Sequence, residues 1–582
     1  MKLYEKNTYN KIETAGNVNK NLLSKYKKNI LNWYPFEAES SVLELGGKTG
    51  EITEIFTQKC REVVTIEPEL EKSKIIKEKN KNINNIEIIT DNLKNAKLIK
   101  KFDYIVMIGI DERIEKIYGE DIQLNEFVKK IERFLKPTGK LLIAVDNKFG
   151  LKFFAGDADN ILNKKFCSLI GYNNEEKKIE TFTKNKLQEI LKNNGYKTNF
   201  YYPLPDYKMT DVIFSDKYLP TYTSIDKYNP YHTEKSTVIF NEIDVFREIL
   251  KSNKEMFSFF ANSFLIEASK EDINYKFRYI SFNNLRKDKY QLITKISNNF
   301  VEKEIANQEA LQHYENIKNN IRLLNDSKIK VTDYIENGKI KSKYIEQKYL
   351  LNNVLVELME KNKMQEFYQV IDGFIKAIDI NTYIETDYSN TIFNMYNIDI
   401  ENKELIKELH FVKNGLWDMT FKNCFFKDGE FIFFDQEWNK PNLPYEYILY
   451  RSILYTISLR RFIKIDELYK KYNIDKYLNI FKQLDDKLQE EIRDEEICNL
   501  YIKNNFINID ETKQELINLN IRNKAMQSAI DNFKKENEHI KEENEYIKRE
   551  YENYKKNIES RTCYKIYKKL KRLTGGKNGK KD

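Results

Sequence analysis

The sequence predicts a multidomain α/β protein with a Rossmann-like domain, a two-lobed α+β domain and a long C-terminal coiled-coil helix. Three observations predict this class. The chain has 582 residues, more than one hydrophobic core normally holds. Strands alternate with helices from about residue 42 to 145, as in a parallel sheet, and hydrophobic heptads repeat from residue 516 to 558.

The composition is that of a soluble globular protein, with 41% hydrophobic and 32% charged residues. No run of about eighteen apolar residues predicts a membrane span, and the first residues lack the apolar core of a signal peptide. Five cysteines are scattered without metal-ligand spacing, and the four histidines stand apart. We therefore expect a reducing, cytoplasmic location.

The net charge of +8 is concentrated at one end of the chain. Residues 561–582 contain nine Lys or Arg and one acid, so the other 560 residues sum to zero. A nucleic-acid-binding body would have a basic face, and this distribution argues against nucleic acid as a partner. It indicates a tail that binds an anionic surface.

The first domain opens with S-V-L-E-L-G-G-K-T-G at residues 41–50, an apolar strand that enters a glycine turn. Such a turn lets a cofactor approach the backbone closely, and it also suits NAD. The next strand, residues 63–66, ends at an acid that can accept hydrogen bonds from a ribose diol. A further acid follows the third strand, residues 86–89. The candidate cofactor-binding residues are Glu44, Gly46, Gly50, Glu67 and Asp91.

The order E-L-G-x-x-x-G, then Glu67, then Asp91 resembles that of class I S-adenosylmethionine methyltransferases. The resemblance implies S-adenosylmethionine as the cofactor, with Asp91 contacting its adenine. Lys48 stands where that family usually has glycine, so the turn departs from the family pattern at this residue.

Two later segments narrow this resemblance. D-N-K-F-G-L-K-F-F-A-G at residues 146–156 and F-Y-Y-P-L-P-D-Y-K at residues 200–208 resemble segments of methyltransferases from bacterial surface-polysaccharide clusters. The resemblance covers about residues 40–220. Prolines also pre-set rigid surface loops, but the aromatic content of the second segment favours a lid over the acceptor site.

A second candidate site lies in L-W-D-M-T-F-K-N-C-F-F and the downstream F-I-F-F-D-Q-E-W. In phosphoryl transfer an Asp accepts the hydroxyl proton, while an Asn five residues on and a later Asp hold magnesium. This spacing predicts Asp418, Asn423 and Asp435 as catalytic, the last two as magnesium ligands. The motif resembles small-molecule kinases of the aminoglycoside and choline kinase type. The alternative is a hairpin whose Asp and Asn serve turns.

The segment from about residue 259 resembles the amino-terminal lobe of a kinase. Lys295, near the end of a predicted strand, is placed to reach nucleotide phosphates, and Glu304 or Glu309 in a following helix could pair with it. The sequence has no glycine-rich loop before Lys295, and N-N-L-R at residues 283–286 stands in its place. ATP binding is therefore left open.

The C-terminal region repeats apolar positions every seven residues. One seam has Leu, Asn, Ile, Asn, Asn, Tyr and Ile from position 516 to 558, and the other has Leu, Met, Phe, Ile, Ile and Tyr from 519 to 554. This predicts a coiled coil, and the seam asparagines favour a parallel homo-oligomer, dimer or trimer. An intramolecular helix is the alternative. Residues 563–573 form a basic amphipathic segment typical of membrane-surface binding, with a solubilising tail as the alternative.

The layout as a whole resembles the bifunctional kinase–methyltransferases that terminate bacterial O-antigen polymannose chains. The predicted parts are N-terminal helices at 1–40, the methyltransferase domain at 41–220, a linker at 221–258, the kinase-like domain at 259–508, the coiled coil at 509–560 and the tail at 561–582. The resemblance implies phosphorylation of a terminal sugar with ATP and Mg²⁺, then methylation, at the inner face of the cell membrane. It also implies a glycan or lipid-linked glycan acceptor and a glycosyltransferase of the same pathway as partners.

Two other functions fit the same residues. The methyltransferase could act beside a pseudokinase that only binds glycan, which agrees with the missing glycine-rich loop. Alternatively, the chain is a coiled-coil scaffold that recruits glycosyltransferases.

Overall fold

The computed structural model describes residues 26–109, 114–159, 161–172, 181–230, 238–378, 383–400, 402–502 and 509–573. The chain divides into two compact units, Met1–Phe506 and Ile507–Asp582. The predicted helices before residue 26 and the predicted tail after residue 573 lie outside the described residues.

The first unit is built on one sheet of thirteen strands. In chain order they are β1 Ser41–Leu45, β2 Glu62–Ile66, β3 Ile86–Ile89, β4 Phe102–Ile108, β5 Leu135–Asp146, β6 Lys197–Asp206, β7 Met209–Ser215, β8 Ser263–Ser269, β9 Tyr279–Phe282, β10 Leu292–Ile296, β11 Phe300–Ile305, β12 Asp333–Glu336 and β13 Lys339–Lys343. Short strands outside it are β14 Tyr383–Ile384, β15 Phe411–Val412, β16 Gly415–Leu416, β17 Cys424–Lys427, β18 Glu430–Phe433, β19 Asn439–Lys440 and β20 Leu443–Pro444.

Helices cover the sheet and form the rest of this unit. Their bounds are Asn29–Asn32, Thr53–Lys59, Leu70–Lys79, Ile114–Tyr118, Leu124–Ile131, Leu151–Phe154, Cys167–Ile170, Lys184–Asn193, Glu242–Ser252, Met256–Phe260, Leu311–Asn325, Leu351–Glu360, Met364–Ile378, Ile392–Met395, Tyr445–Leu454, Ile465–Lys471, Leu478–Ile492 and Glu495–Ile502.

One part of the sheet has the parallel order β3-β2-β1-β4-β5. Parallel strands are covered on both faces, which is why β1 is apolar and buried along its whole length. The carboxyl ends of these strands share one edge, and β1 leads into the glycine turn there. The predicted Rossmann-like region is confirmed for this part of the chain.

Strand β8 departs from the predicted domain boundary. The sequence places its residues at the start of a second domain, but β8 lies between β5 and β6 and is antiparallel to both. The predicted linker also belongs here, because Phe246 and Phe257 from its helices are buried in the core of this region. An apolar run identifies a buried strand, but it does not tell which strand lies beside it.

Strand β7 joins this region to the remaining strands. It forms a hairpin with β6 and pairs with β9 through Val212–Ser281 and Ile213–Ile280. Beyond β9 the order β10-β11-β13-β12 is antiparallel. The two predicted domains therefore share one continuous sheet.

A second large core lies in the part of the chain after residue 350. Helices Leu351–Glu360, Met364–Ile378, Tyr445–Leu454 and Leu478–Ile492 bury their apolar faces in it. The short strands that carry the candidate phosphotransfer motif contribute to the same core, with Trp417 almost fully buried. This packing holds the motif in a rigid position.

The second unit contains the helix Ile509–Ser560, which is 52 residues long, and the helix Thr562–Leu573. The predicted long C-terminal helix is therefore confirmed, while its pairing in a coiled coil stays a prediction. Apolar side chains of both predicted seams, including Leu516, Phe533 and Ile547, are exposed. Among the described residues, no helix has the length and apolarity needed to cross a membrane.

Candidate functional sites

Strand β1 runs directly into a glycine turn at the carboxyl edge of the sheet. Gly46 and Gly50 have φ angles of +87° and +85°, which residues with side chains rarely adopt. Gly46 donates its N–H to the carbonyl of Ile66 at 2.9 Å. A Cβ on Gly47 would lie 2.5 Å from Thr65 Cγ2, so the turn packs directly against β2. Gly46 and Gly50 therefore occupy the strand-to-helix turn that the sequence predicts.

The carboxylate of Glu67 holds this turn in place. Glu67 is fully buried just after β2 and accepts the backbone N–H of Lys48 at 2.7 Å and of Glu69 at 3.1 Å. Lys48 has a φ of +53°, which is uncommon for a residue with a side chain. The hydrogen bond to Glu67 stabilises this conformation.

Glu44 supports the turn from within β1. Its buried carboxyl accepts hydrogen bonds from the hydroxyls of Thr53 at 2.6 Å and Thr65 at 2.8 Å. Burial raises the pKa of Glu44 to about 7, and the two hydroxyls only partly oppose this shift. Glu44 thus lies beneath the turn, and its direct contact with a cofactor stays a prediction.

Asp91 lies two residues after β3, at the same sheet edge as Glu67. It is exposed and accepts the backbone N–H of Asn92 at 2.7 Å and the side-chain amide of Asn95 at 3.0 Å. The parallel pairing of β2 with β3 brings the two predicted acids to this edge.

Gly109 follows β4 at this edge and has a φ of +67°. A Cβ there would lie 2.7 Å from Lys48 Nζ and 2.8 Å from the Tyr207 hydroxyl. Tyr207 lies at the tip of the β6–β7 hairpin. The segment 200–208 is therefore no surface loop, because its residues up to Asp206 form the buried strand β6, and its tip reaches the candidate site. Sequence reasoning did not select Tyr207 as a site residue.

A buried ion cluster fixes the hairpin tip to the end of β5. The ammonium of Lys152 lies 2.6 Å from Asp146 Oδ1 and 3.0 Å from Asp206 Oδ2, and Lys208 Nζ lies 3.5 Å from Asp146 Oδ2. Burial alone would raise the pKa of Asp146, but Lys152 and Lys208 lower it to about 2. A pocket of about 300 Å³ beside the cluster is lined by Asp146, Asn147, Lys148, Phe153, Asp159, Ile161, Ser168, Tyr172 and Thr181.

The three predicted phosphotransfer residues form one cluster in the second core. The carbonyl of Asp418 accepts the side-chain amide N–H of Asn423 at 3.1 Å and of Gln436 at 3.2 Å. Asp435 has a φ of +60° and donates its N–H to Asp333 Oδ2 at 2.8 Å. Their spacing in sequence therefore corresponds to proximity in the fold, through bonds to the backbone.

Asp418 is buried beside a cation. Its Oδ1 lies 3.9 Å from Arg451 Nη2, and the same guanidinium pairs with Asp485 and lies 4.2 Å from the ring centre of Trp417. Burial raises the pKa of Asp418, while the positive charges of Lys422 and Arg451 oppose that shift. A buried carboxylate of this kind can be held at one orientation, as proton acceptance from a hydroxyl requires.

Lys303 on β11, and not Lys295, pairs with Asp435. The ammonium of Lys303 contacts the carboxylates of Asp435 and Glu437. Burial would lower the pKa of Lys303, but the two acids raise it above its ordinary value. Lys295 pairs instead with Glu304, which lies on β11 and not on the predicted helix.

The register of β10 and β11 explains this difference. Lys295 lies opposite Glu302, and Thr294 lies opposite Lys303. Opposed residues share a face of the sheet, and successive residues alternate between faces. Lys295 and Lys303 therefore face opposite sides. Glu309, the other partner predicted for Lys295, is exposed on the helical turn after β11.

Sequence reasoning missed Glu437. This buried carboxylate contacts Lys303 and Arg286, and His313 Nε2 lies 3.5 Å away. Burial favours its neutral form, but Arg286 and Lys303 hold its pKa well below the ordinary value. Arg286 comes from residues 283–291, where a glycine-rich loop was expected. An acid two residues after a predicted metal ligand is the signal that could have identified Glu437.

Asn423 and Asp435 offer oxygen ligands of the kind that magnesium prefers. In the part of the chain that the structure describes, no group of three or more His, Cys, Asp or Glu side chains suits a metal ion. Magnesium binding by Asn423 and Asp435 stays a prediction.

Comparison with known proteins bears on the first site. A family model described as a methyltransferase domain matches residues 18–199. A chain of the complex between the Haloferax volcanii Trm112 methyltransferase activator and its methyltransferase is 12% identical over 44% of this chain and 92% of that chain, with a TM-score of 0.27. No curated protein matches the chain.

Two further solved structures are similar to part of the chain. Haemonchus contortus phosphoethanolamine N-methyltransferase 1, solved with phosphoethanolamine and S-adenosylhomocysteine, is 11% identical over 44% of each chain, with a TM-score of 0.26. The N-methyltransferase NodS of Bradyrhizobium japonicum WM9, solved with S-adenosylhomocysteine, is 19% identical over 22% of this chain and 60% of that chain, with a TM-score of 0.18.

The family match and the glycine turn agree. The N-terminal region of about 200 residues contains a class I methyltransferase domain that depends on S-adenosylmethionine. The predictions of a methyltransferase and of this cofactor are confirmed at that level.

Proposed function

We propose that the protein is a bifunctional enzyme of cell-surface glycan synthesis. Its second site transfers a phosphoryl group from ATP to a hydroxyl of the terminal sugar, and its methyltransferase domain methylates that phosphate, which terminates the glycan. The observation that carries the proposal is the cluster of Asp418, Asn423, Asp435 and Lys303 on the same chain as the methyltransferase domain.

The first site fits S-adenosylmethionine. The left-handed turn of Gly46 and Gly50 keeps the carboxyl edge of the sheet open to a ligand that approaches along the backbone. By resemblance, Glu67 accepts hydrogen bonds from the ribose hydroxyls and Asp91 contacts the adenine. When bound, S-adenosylmethionine supplies the methyl group.

The second site has residues for each part of phosphoryl transfer. Asp418 accepts the proton of the attacking hydroxyl, Asn423 and Asp435 hold Mg²⁺, and Lys303 neutralises phosphate charge. ATP, when bound, supplies the phosphoryl group. The order of elements supports these roles, because Lys303 lies on the third antiparallel strand and the helix Leu311–Asn325 follows it, as in the amino-terminal lobe of a kinase.

The two reactions have different chemical demands, which fit the residues present. A sugar hydroxyl must lose a proton when it attacks, and the buried carboxylate of Asp418 suits that role. A phosphate oxygen is already anionic, so methylation needs positioning and not a general base. This asymmetry supports phosphorylation first and methylation second.

The second unit extends the proposal to location and partners. The helix Ile509–Ser560 would form a parallel dimer or trimer, and the helix Thr562–Leu573 would bind the anionic inner face of the cell membrane. There the enzyme would meet a lipid-linked glycan acceptor and a glycosyltransferase of the same pathway. Each cation near an anionic lipid surface contributes about 1 kcal/mol. Exposed apolar side chains support this membrane contact: Ile566, Leu570 and Leu573.

One observation favours a second candidate, a glycan-binding pseudokinase beside an active methyltransferase. Residues 283–291 contain no glycine, and Arg286 from this segment pairs with Glu437. A cation in that position takes part of the electrostatic role that a glycine-rich loop serves with backbone N–H groups.

Labelled ATP and labelled S-adenosylmethionine distinguish these functions. We expect the full-length protein to transfer both labels to a mannose oligosaccharide, with methyl transfer depending on prior phosphorylation. Asp418→Asn and Asp435→Asn should abolish phosphoryl transfer but retain methylation of an acceptor that is already phosphorylated. Asp428→Asn, in the exposed β17–β18 turn, is the matched control.

Failure of wild-type protein to transfer phosphate, with methylation intact, would favour the pseudokinase. A variant without residues 509–582 tests the second unit in the same assay. We expect it to modify soluble acceptors at the wild-type rate, to sediment as a monomer and to lose binding to anionic vesicles. Vesicle binding by the truncated chain would contradict the assignment of the membrane site.

A further inference from the structure

Two polar atoms converge at the carboxyl edge of the methyltransferase domain. Lys48 Nζ and the Tyr207 hydroxyl lie 2.7 and 2.8 Å from one point, the position that a Cβ of Gly109 would occupy. Gly109 directly follows β4, next to the glycine turn that follows β1. Ligands of a parallel sheet bind at this edge.

Lys48 reaches this position from an unfavourable backbone conformation. Its φ of +53° lies in the left-handed region, where glycine has no steric cost and lysine does. Glu67 stabilises this conformation by accepting the Lys48 N–H at 2.7 Å. A strained residue beside a ligand edge points to a function of its side chain. Here the ammonium group is the chemistry that glycine would not supply.

Tyr207 is held as firmly as Lys48. Its backbone N–H donates to Ser263 Oγ at 2.9 Å, and the residue is 3% exposed. The neighbouring Lys208 pairs with Asp146, which Lys152 binds from the buried side. The hydroxyl therefore has a fixed position, and fixed donors recognise a developing or existing charge at little cost of reorganisation.

We propose that Lys48 Nζ and the Tyr207 hydroxyl bind the methyl acceptor as a phosphate monoester. A cation and an O–H donor are hydrogen-bond partners for an oxyanion, and a phosphate monoester carries a charge of about −1.5 to −2 at pH 7. Of the carboxyl groups described at this edge, Asp146 faces two lysines and Glu67 accepts backbone N–H groups. This pattern suits an acceptor that needs no deprotonation. The inference rests on the proposed function, in which the methyl acceptor is a phosphate.

The methyl transfer balances without a proton acceptor. A phosphate oxygen forms the new bond to the methyl carbon, and the carbon–sulfur bond of S-adenosylmethionine breaks with its electron pair going to sulfur. The products are a methyl phosphodiester with one negative charge fewer and S-adenosylhomocysteine. The role of Lys48 and Tyr207 is to hold the oxyanion in place.

Calorimetric titration with inorganic phosphate tests this assignment in the full-length protein, after the cofactor site has been filled with S-adenosylhomocysteine. We expect wild-type protein to bind phosphate. Lys48→Gly keeps a residue that suits the turn, and Tyr207→Phe keeps the ring. Each should weaken phosphate binding about tenfold to a hundredfold, the range for a lost hydrogen bond to a charged group.

S-adenosylhomocysteine affinity should stay within about twofold of wild type in both variants, since neither change removes a backbone group of the turn. Lys197→Gln, at an exposed lysine that pairs with Asp272, is the control and should bind phosphate as wild type does. Wild-type affinity for phosphate in both variants, or no phosphate binding by wild-type protein, overturns the inference. Loss of phosphate binding in the variants together with no phosphoryl transfer from ATP would keep this site and refute the proposed kinase.

Discussion

The two parts of the thirteen-stranded sheet build their candidate sites from different groups. The parallel part, from β3 to β5, presents a turn whose geometry depends on Gly46 and Gly50. The antiparallel part, from β9 to β12, presents the side chain of Lys303 to the acids Asp435 and Glu437. A backbone site requires glycines at defined spacings, which a sequence displays. A side-chain site depends on which face of a strand each residue occupies, and a shift of one residue reverses the face.

The pair Lys295 and Lys303 tests that difference with the largest expected effect. Lys303→Met should lower phosphoryl transfer from ATP at least about 100-fold, because it removes the charge beside Asp435. Lys295→Met removes a buried lysine from the other face of the same hairpin and should leave transfer within about threefold of wild type. Rates are compared at a temperature below the melting point of all three proteins. Equal losses in the two variants would mean that the register does not decide the role.

Glu44 tests the parallel part through pH. Burial raises its pKa from 4.5 to about 7, so the protonated form is favoured in the folded state. The associated stability is fully present below about pH 4.5 and is lost as the pH rises to about 7. At 1.36 kcal/mol per pKa unit, the loss is about 3 kcal/mol.

Glu44→Gln removes this titration but keeps an acceptor for Thr53 and Thr65. We expect the variant to gain stability relative to wild type between about pH 5 and about pH 8, as measured by urea unfolding at both values. Glu39→Gln, at an exposed glutamate, should show no such change. A difference between Glu44→Gln and wild type that does not vary with pH would show that the carboxyl stays ionised in the fold.

Gly47 gives the smallest expected effect. A Cβ at this position would lie 2.5 Å from Thr65 Cγ2 and 2.8 Å from Ile76 Cδ1, so Gly47→Ala should destabilise the turn by about 1–3 kcal/mol. S-adenosylhomocysteine affinity should fall together with the melting temperature. Gly338→Asn is the control, because no atom lies within 4 Å and asparagine tolerates its φ of +74°. Unchanged cofactor affinity in Gly47→Ala would separate the turn from the cofactor site.

The fold was only partly predictable. The alternation of strands and helices identified the parallel strands, but β8 was assigned to the wrong part of the chain. Its apolar residues identify a buried strand, while its partners β5 and β6 are far away in sequence. The contact of β7 with β9, which makes the sheet continuous, leaves no local pattern for the same reason.

The candidate sites divide along the same line. Asp418, Asn423 and Asp435 lie close in sequence and meet in the fold, so their spacing was sufficient to group them. Tyr207 and Lys48 are 159 positions apart, and only the β6–β7 hairpin brings them to Gly109.

By itself the sequence determined the glycine turn, the phosphotransfer motif and the 52-residue helix, because each depends on residues within a short stretch of chain. The tertiary structure alone decided that Lys303 faces Asp435, that Arg286 reaches Glu437 and that both predicted domains share one sheet. Strand pairing and register set these contacts, and both are long-range choices among burial patterns that look alike locally.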